Sequence, residues 1–261
     1  MPRYDIAMWA KNGESVLPKV LARIDAVIPH ENIGQKIFVD DSSLDRTIKI
    51  AKDFNWDIYQ NRLGWINGGT QEALRHVKTK IFGSVEQDVY LAKNFMDLLE
   101  HFSDPKVGVS SGIYYPTTTY GRIYSVHRIE DMRKKGSKFF MGVGSNFYKT
   151  DVVRKTGFVT DKVLMYDFAI AIEDLGYKWV TDYNVVSDHL RNSFWEDLSH
   201  LERSILFSKS GRPVFESKSF FRHVLSVLKF PYYLKTGNPV IPALEFIMRL
   251  KLLQIYIKRR L

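Results

Sequence analysis

Cysteine is absent from the 261 residues. Disulfides and thiolate metal sites are therefore excluded, and a reducing compartment is compatible with the chain. No charged-then-apolar leader precedes the first strand pattern at Tyr4, so the folded part is expected to stay in the cytoplasm. A clean run of apolar residues long enough to span a bilayer is also missing. The best stretch, 240–257, is interrupted by Glu245, Arg249 and Lys251. No internal repeat and no low-complexity segment breaks the chain. Excess charge of one sign is missing from most of it too. The net charge is +9, but residues 220–261 hold eight Lys/Arg against the single acid Glu245. The remainder carries thirty bases against twenty-eight acids. A general nucleic-acid binder spreads its basic charge over the folded surface, so no nucleic-acid partner is expected.

What is present is a core. Hydrophobic residues make up 45% of the chain and aromatics 14%, enough for one α/β domain of ordinary size with an appendage. Ile6 to Ala10 reads as a buried strand, broken by Lys11-Asn12-Gly13-Glu14. Leu17, Val20, Leu21, Ile24 and Ile28 then recur at helical spacing, with Ser15 as candidate N-cap. Lys36 to Val39 is a second strand that stops at Asp40-Asp41-Ser42-Ser43. A helix through Ile48, Ala51 and Phe54 follows, then a strand at Asp57-Ile58-Tyr59. Gly68-Gly69 opens another helical pattern, and Ile81 to Val85 is a fourth strand ending at Glu86-Gln87-Asp88. Alternation of this kind predicts βαβ units and a parallel sheet, with ligands at the carboxyl ends of the strands. The polar clusters sit at those ends. Beyond residue 105, strands are expected at Val107–Ser111 and 139–143, a polar loop over 127–138, a helix over 162–175, and short strands at Lys178–Thr181 and Val185-Val186.

Two of these clusters carry chemistry. Glu86 and Asp88 are two apart at a strand end, and in extended backbone such residues face the same side. Two carboxylates sharing one space suit a hard divalent cation, Mg²⁺ or Mn²⁺, of the kind that neutralises a nucleoside-diphosphate leaving group. The plainer reading is that acids often end strands as turn formers. Asp41, after the apolar Phe38-Val39, can accept hydrogen bonds from a base or ribose. The plainer reading there is that the Asp/Ser cluster caps the next helix.

Together these motifs resemble family 2 glycosyltransferases. The resemblance rests on Ala10-Lys11-Asn12-Gly13-Glu14, on Val39-Asp40-Asp41-Ser42-Ser43-Leu44-Asp45-Arg46-Thr47, and on the Asn61–Gly69 turn. It extends through Glu86-Gln87-Asp88, Gly144 to Lys149, Gly157-Phe158, Tyr166-Asp167-Phe168 and Gly176-Tyr177-Lys178. It implies a GT-A, Rossmann-like fold with a mainly parallel central sheet flanked by helices, over 1–212. A nucleotide-sugar half would cover about 1–105 and an acceptor half about 106–212. It further implies a donor site from Ala10, Asn12, Glu14, Asp41, Asn61, Gly68, Glu86 and Gln87. Asp88 would be the principal metal ligand with Glu86, and His189 matches a histidine that some relatives use near the metal. A lone histidine is more often structural. Asp167 would be the catalytic base of an inverting, metal-dependent reaction on a UDP- or GDP-sugar. The sequence departs from the family in having Glu86 for Asp and Tyr166 for an acid, which leaves Glu173 and Asp174 as alternative bases. No Q-x-x-R-W motif of processive synthases occurs, so a single addition is expected. A sugar nucleotidyltransferase would need a glycine-rich loop after the first strand, and Ala10–Glu14 is not one. An inactive GT-A scaffold is the non-catalytic alternative.

The tail, 213–261, is basic and apolar and is expected to form a helical extension. Its two readings are a helical pair in the membrane interface, facing anionic lipid, or a pair packed on the core or on a second subunit as a homo-oligomer. The first places the enzyme peripherally on the inner face of the cell membrane, with a lipid-linked or saccharide acceptor.

Overall fold

The computed structural model describes residues 2–134, 142–157, 165–193, 195–196, 228, 234 and 237–258. Its contacts divide into two compact units, Met1–Tyr114 with Phe139–Leu190, and Tyr115–Lys138 with Arg191–Leu261.

The first unit is built on an eight-stranded sheet. In chain order its strands are β1 (Tyr4–Ala10), β2 (Ile33–Asp40), β3 (Asp57–Gln60), β4 (Ile81–Val85), β5 (Val89–Tyr90), β6 (Val107–Pro116), β7 (Ser145–Lys149) and β8 (Lys178–His189). The spatial order is β3-β2-β1-β4-β7-β6-β8-β5. The sheet is mixed. β1 pairs in parallel with β2 and β4, and β2 with β3. The pairings β4–β7, β6–β7 and β5–β8 are antiparallel. Helices α1 (Leu17–Val27), α2 (Thr47–Asp53), α3 (Trp65–His76), α5 (Thr150–Thr156) and α6 (Met165–Asp174) complete this unit.

β1 is buried along its whole length, which is why it reads as an unbroken apolar run. Tyr4, Ile6, Met8 and Ala10 face one core with α1's Leu17, Val20, Leu21 and Ile24. Ala7 and Trp9 face the other with α3's Ala73 and Leu74. The polar exception is Asp5, which is buried and accepts from the N–H groups of Lys78 (2.6 Å) and Thr79 (3.1 Å) and from Gln35 Nε2 (3.1 Å). A buried carboxylate with three donors is stable where an unpaired one would not be. α3 lies close on β1, because a Cβ on Gly69 would sit 2.7 Å from Trp9 Cβ.

Several local expectations shift. α1 takes Val16, not Ser15, at its N-cap, with no side-chain cap bond. The strand expected over 139–143 falls later, at β7, and 139–141 lie outside the described residues. The two short strands expected after 178 are one continuous β8.

In the second unit, α4 (Thr119–Lys134) and α7 (Val240–Lys258) pack together. The polar loop expected over 127–138 is thus helical through Lys134, and 135–138 lie outside the described residues. Its composition shows no apolar stripe. Burial of Gly121 and Ile129, and contact with α7, decide its conformation. Glu245, which interrupts the apolar run of the tail, is 1% exposed and receives Arg249 Nε at 3.0 Å, with Arg128 of α4 at 3.9 Å. Ala243, Phe246, Leu250, Gln254 and Ile257 form the exposed stripe of α7. The 212/213 boundary lies outside the described residues. No helix among the described residues is long and apolar enough to cross a membrane.

Candidate active site

Two clusters form at the carboxyl ends of the strands. The first lies beyond β1, β2 and β3. The loops 11–16 and 41–46 are latched to each other. Asn12 donates its N–H to Ser43 Oγ (2.9 Å), and its Oδ1 accepts from the N–H of Leu44 (2.9 Å). Gly13 N–H donates to Thr47 Oγ1 (2.7 Å), and Glu14 N–H to Asp45 Oδ2 (3.1 Å). The N–H of Arg46 donates back to Glu14 Oε2 (2.9 Å), and its Nε to Oε1 (2.7 Å). The Arg46 hydrogen bonds hold the Glu14 carboxyl below its ordinary range. Burial pushes Asp45 up, but donors from Thr47 and Glu14 outweigh it and hold that carboxyl low as well. The reciprocal pattern explains the motif spacing, since the Asn-Gly-Glu loop and the Asp-x-Thr loop supply each other's donors and acceptors. Asn12 adopts a left-handed φ of 49°, which asparagine tolerates better than most residues.

The Asp40-Asp41 pair divides its labour. Asp40 is buried and accepts from the N–H of Ser43 (3.0 Å), the turn-forming role. Asp41 is partly exposed. Its N–H donates to the carbonyl of Ala10 (2.9 Å), Asn61 Nδ2 donates to its Oδ1 (3.1 Å), and the Lys11 ammonium lies 3.6 Å from its Oδ2. Asn61 is buried, and its Oδ1 accepts from the N–H of Gly64 (2.9 Å). Gly68 serves this packing directly, because a Cβ there would lie 2.2 Å from Asn61 Oδ1. Gln87 ties the first cluster to the second, accepting from Lys11 N–H (2.8 Å) and donating to the Lys11 carbonyl (3.3 Å).

The second cluster joins Glu86, Asp88 and His189. One ligand atom from each lies within 4.8 Å of the others, and all three residues are partly buried. His189 Nε2 is 3.3 Å from Asp88 Oδ1. Strand pairing brings the histidine there from a hundred residues away. Val89 pairs with His189 in the β5–β8 ladder, and the N–H of Leu190 donates to the Asp88 carbonyl (2.8 Å). Glu86 lies one step beyond the β4–β7 ladder, with its N–H 3.4 Å from the Gly144 carbonyl. Two carboxylates and an imidazole form an oxygen-and-nitrogen donor set that fits a divalent cation of the Mn²⁺ or Mg²⁺ kind.

Residues 5–164 match the family model described as glycosyl transferase family 2. The chain belongs to that family. No curated protein sequence matches it. Among solved structures, this glycosyltransferase resembles a mannosyltransferase from Pyrobaculum calidifontis in complex with GDP-Man and Mn²⁺. That match has a TM-score of 0.61 and 16% identity, covering 98% of this chain and 73% of that one. It also resembles glucosyl-3-phosphoglycerate synthase from Mycobacterium tuberculosis. The complex of that enzyme with phosphoglyceric acid gives a TM-score of 0.57 and 11% identity, covering 79% of each chain. Its complex with Mn²⁺ and UDP-Glc gives 0.56 and 12%, covering 79% of this chain and 77% of that one. At these identities the likeness speaks to the fold, which is of the GT-A type.

Asp167 falls in the first turn of α6, and its side chain lies outside the described set. Glu173 and Asp174 sit at the other end of α6, next to the start of β8. β8 then runs twelve residues to His189, about 36 Å when extended. Those two acids are therefore at the wrong end of the strand to serve the Glu86/Asp88/His189 cluster. Sequence reasoning missed Arg46 as the partner of Glu14, although it stands inside the quoted motif.

Proposed function

We propose that the chain transfers one sugar from a UDP- or GDP-sugar to an acceptor, with inversion, at a site where Asp88, Glu86 and His189 hold Mg²⁺ or Mn²⁺. The observation that carries this reading is the convergence of those three side chains beside the Asp41 loop in a family 2 fold. Relatives solved with GDP-Man and Mn²⁺ or with UDP-Glc and Mn²⁺ support the donor class.

In this reading Asp41, oriented by Asn61 and by the Ala10 carbonyl, accepts a hydrogen bond from the nucleobase. Asn12 and Glu14 act by holding the loop in shape, Gly68 by letting α3 approach Asn61, and Gln87 by fixing Lys11. A bound divalent cation supplies charge neutralisation for the departing diphosphate. Asp167 takes the proton of the acceptor hydroxyl as the acceptor oxygen bonds to the anomeric carbon. The bond from that carbon to the diphosphate oxygen breaks on the opposite face. An acceptor that is already an ionised lipid phosphate needs no such base.

The catalytic part is taken as 1–212 and the extension as 213–261. The exposed Phe246, Leu250 and Ile257 on α7, in a basic segment, support peripheral contact with the inner face of the cell membrane and a lipid-linked acceptor. The test is calorimetry of Mn²⁺-dependent binding across a panel of UDP- and GDP-sugars. One donor is expected to bind in a metal-dependent way, and Asp88→Ala is expected to abolish the metal dependence. Equal affinity with and without Mn²⁺ in both proteins would refute the proposal.

A further inference from the structure

We propose that Tyr114 is a positioning residue for the metal-ligand set, bracing His189 with its ring and the Glu86 side of the cluster with its hydroxyl. This rests on the metal reading above. The problem Tyr114 solves is one of side-chain orientation. Glu86 follows β4 and His189 ends β8, and in the sheet those strands are separated by β7 and β6. The β5–β8 ladder fixes the backbone of His189 against Asp88, and the N–H of Val89 donates to the Glu86 carbonyl (3.0 Å), but these backbone bonds leave the side-chain rotamers of Glu86 and His189 to be set by other contacts. Tyr114 sits near the end of β6, inside that gap.

Its contacts run both ways. The Tyr114 ring meets the His189 ring edge-on, with centroids 4.9 Å apart and planes at 68°. Its hydroxyl lies so close to Gly142 that a Cβ there would be 2.4 Å from the oxygen. Residues 142–144 are in turn pinned from the sheet. Asn146 Nδ2 donates to the Gly142 carbonyl (2.8 Å), and Ser84 Oγ donates to the Val143 carbonyl. Gly144 then backs Glu86. A Cβ on Gly144 would lie 2.8 Å from Glu86 Oε2, and the Gly144 carbonyl faces the Glu86 N–H at 3.4 Å. A continuous path therefore runs from His189 through Tyr114, Gly142 and Gly144 to Glu86. Groups behind the ligands that lock rotamers in this way set metal affinity without touching the metal.

The atomic detail gives a specific test. Gly142→Ala places a methyl against the Tyr114 hydroxyl oxygen, whereas the same Cβ would be 3.7 Å from Tyr114 Cζ. Removing the oxygen should therefore relieve what the methyl does. The measurement is Mn²⁺ affinity of the full chain by calorimetry or electron spin resonance, with Mn²⁺ alone as probe. Metal-free melting temperature is followed alongside. Tyr114→Leu is expected to weaken Mn²⁺ about 10- to 100-fold. Gly142→Ala is expected to weaken it about 10-fold, and the double variant Gly142→Ala/Tyr114→Phe to recover most of the loss. In the double variant the added methyl stands where the oxygen stood, 3.7 Å from Cζ, and keeps the contact; a change that only unsettles the fold would lower the metal-free melting temperature and leave Mn²⁺ affinity as it was. Full Mn²⁺ affinity in both Tyr114→Leu and Gly142→Ala would overturn the proposal, as would a Gly142→Ala loss that Tyr114→Phe leaves in place. If Tyr114→Leu does not fold, the rescue pair decides alone. Failure of the unaltered protein to bind Mn²⁺ would instead remove the metal reading, and this proposal with it.

Discussion

The two clusters at the carboxyl edge of the sheet use similar residues for opposite ends. Beyond β1 and β2 three of the four acids, all but Asp41, are consumed internally. Glu14 is taken by Arg46, Asp45 by Thr47 and Glu14, and Asp40 by Ser43. Beyond β4 and β5, two carboxylates and an imidazole are brought toward one another, with all three ligand atoms inside 4.8 Å. An acid whose oxygens are already bonded to protein donors shapes a loop. Acids gathered against each other invite a cation, because a bound cation relieves their mutual repulsion. Motif membership alone does not distinguish the two, since Glu14, Asp40, Asp45, Glu86 and Asp88 all lie within the matched family region and only His189 falls beyond it.

The contrast can be broken most directly at the Glu86, Asp88 and His189 end. Asp88→Ala is expected to lower Mn²⁺ affinity more than 100-fold, on the order of what loss of a principal ligand costs, while leaving the metal-free melting temperature nearly unchanged. Arg46→Ala is expected to do the reverse, keeping Mn²⁺ affinity within about twofold and lowering the melting temperature by about 2 °C, since its ion pair with Glu14 is exposed. Equal losses of Mn²⁺ in both variants would erase the distinction between latch and ligand site.

Gly68→Ala sharpens it from the packing side. The added methyl would sit 2.2 Å from Asn61 Oδ1 and 2.8 Å from Leu63 Cβ. Destabilisation of about 1–3 kcal/mol is expected in chemical denaturation, together with weaker nucleotide-sugar binding through displaced Asn61.

The smallest effect concerns acid. Burial raises the Asp182 carboxyl, but hydrogen bonds from Asn184 and the His101 contact at 3.0 Å outweigh it and hold the group low. Asp45 is held low in the same sense. A depressed carboxyl adds stability that is complete above its unfolded value, about 3.9, and fades as pH falls through the folded value. Melting temperature should therefore be flat from neutral pH to about 5 and drop below about 4, and Asp182→Asn should flatten that drop by a degree or two. An unchanged acid limb in this variant would show that Asp182 adds nothing.

Much of the first half was legible in the sequence. β1 is buried on both faces, so its apolar run was unbroken. Gly68-Gly69 announced a helix but pointed to its start, whereas α3 begins at Trp65 and carries both glycines inside it. Glu86 and Asp88 stood out because they flank a strand end at a spacing of two. α4 was not legible, because its sequence has no apolar stripe and its helix is settled by packing on α7. Nor was the burial of Glu245, which looked like an interruption of an apolar run and is instead held by Arg249 and Arg128.

By itself the sequence determined the alternation of strands and helices, the family, and which acids stand at strand ends. Those are properties of neighbours along the chain, set by periodicity and turn chemistry over a few residues. Only the tertiary structure decided that Glu14 faces Arg46, that His189 arrives beside Asp88, and that Tyr114 lies between His189 and Gly142. Each of these depends on strand pairing and loop contact across 28 to about 100 residues. No local pattern encodes such a distance, because sheet order is fixed by which buried faces pack together.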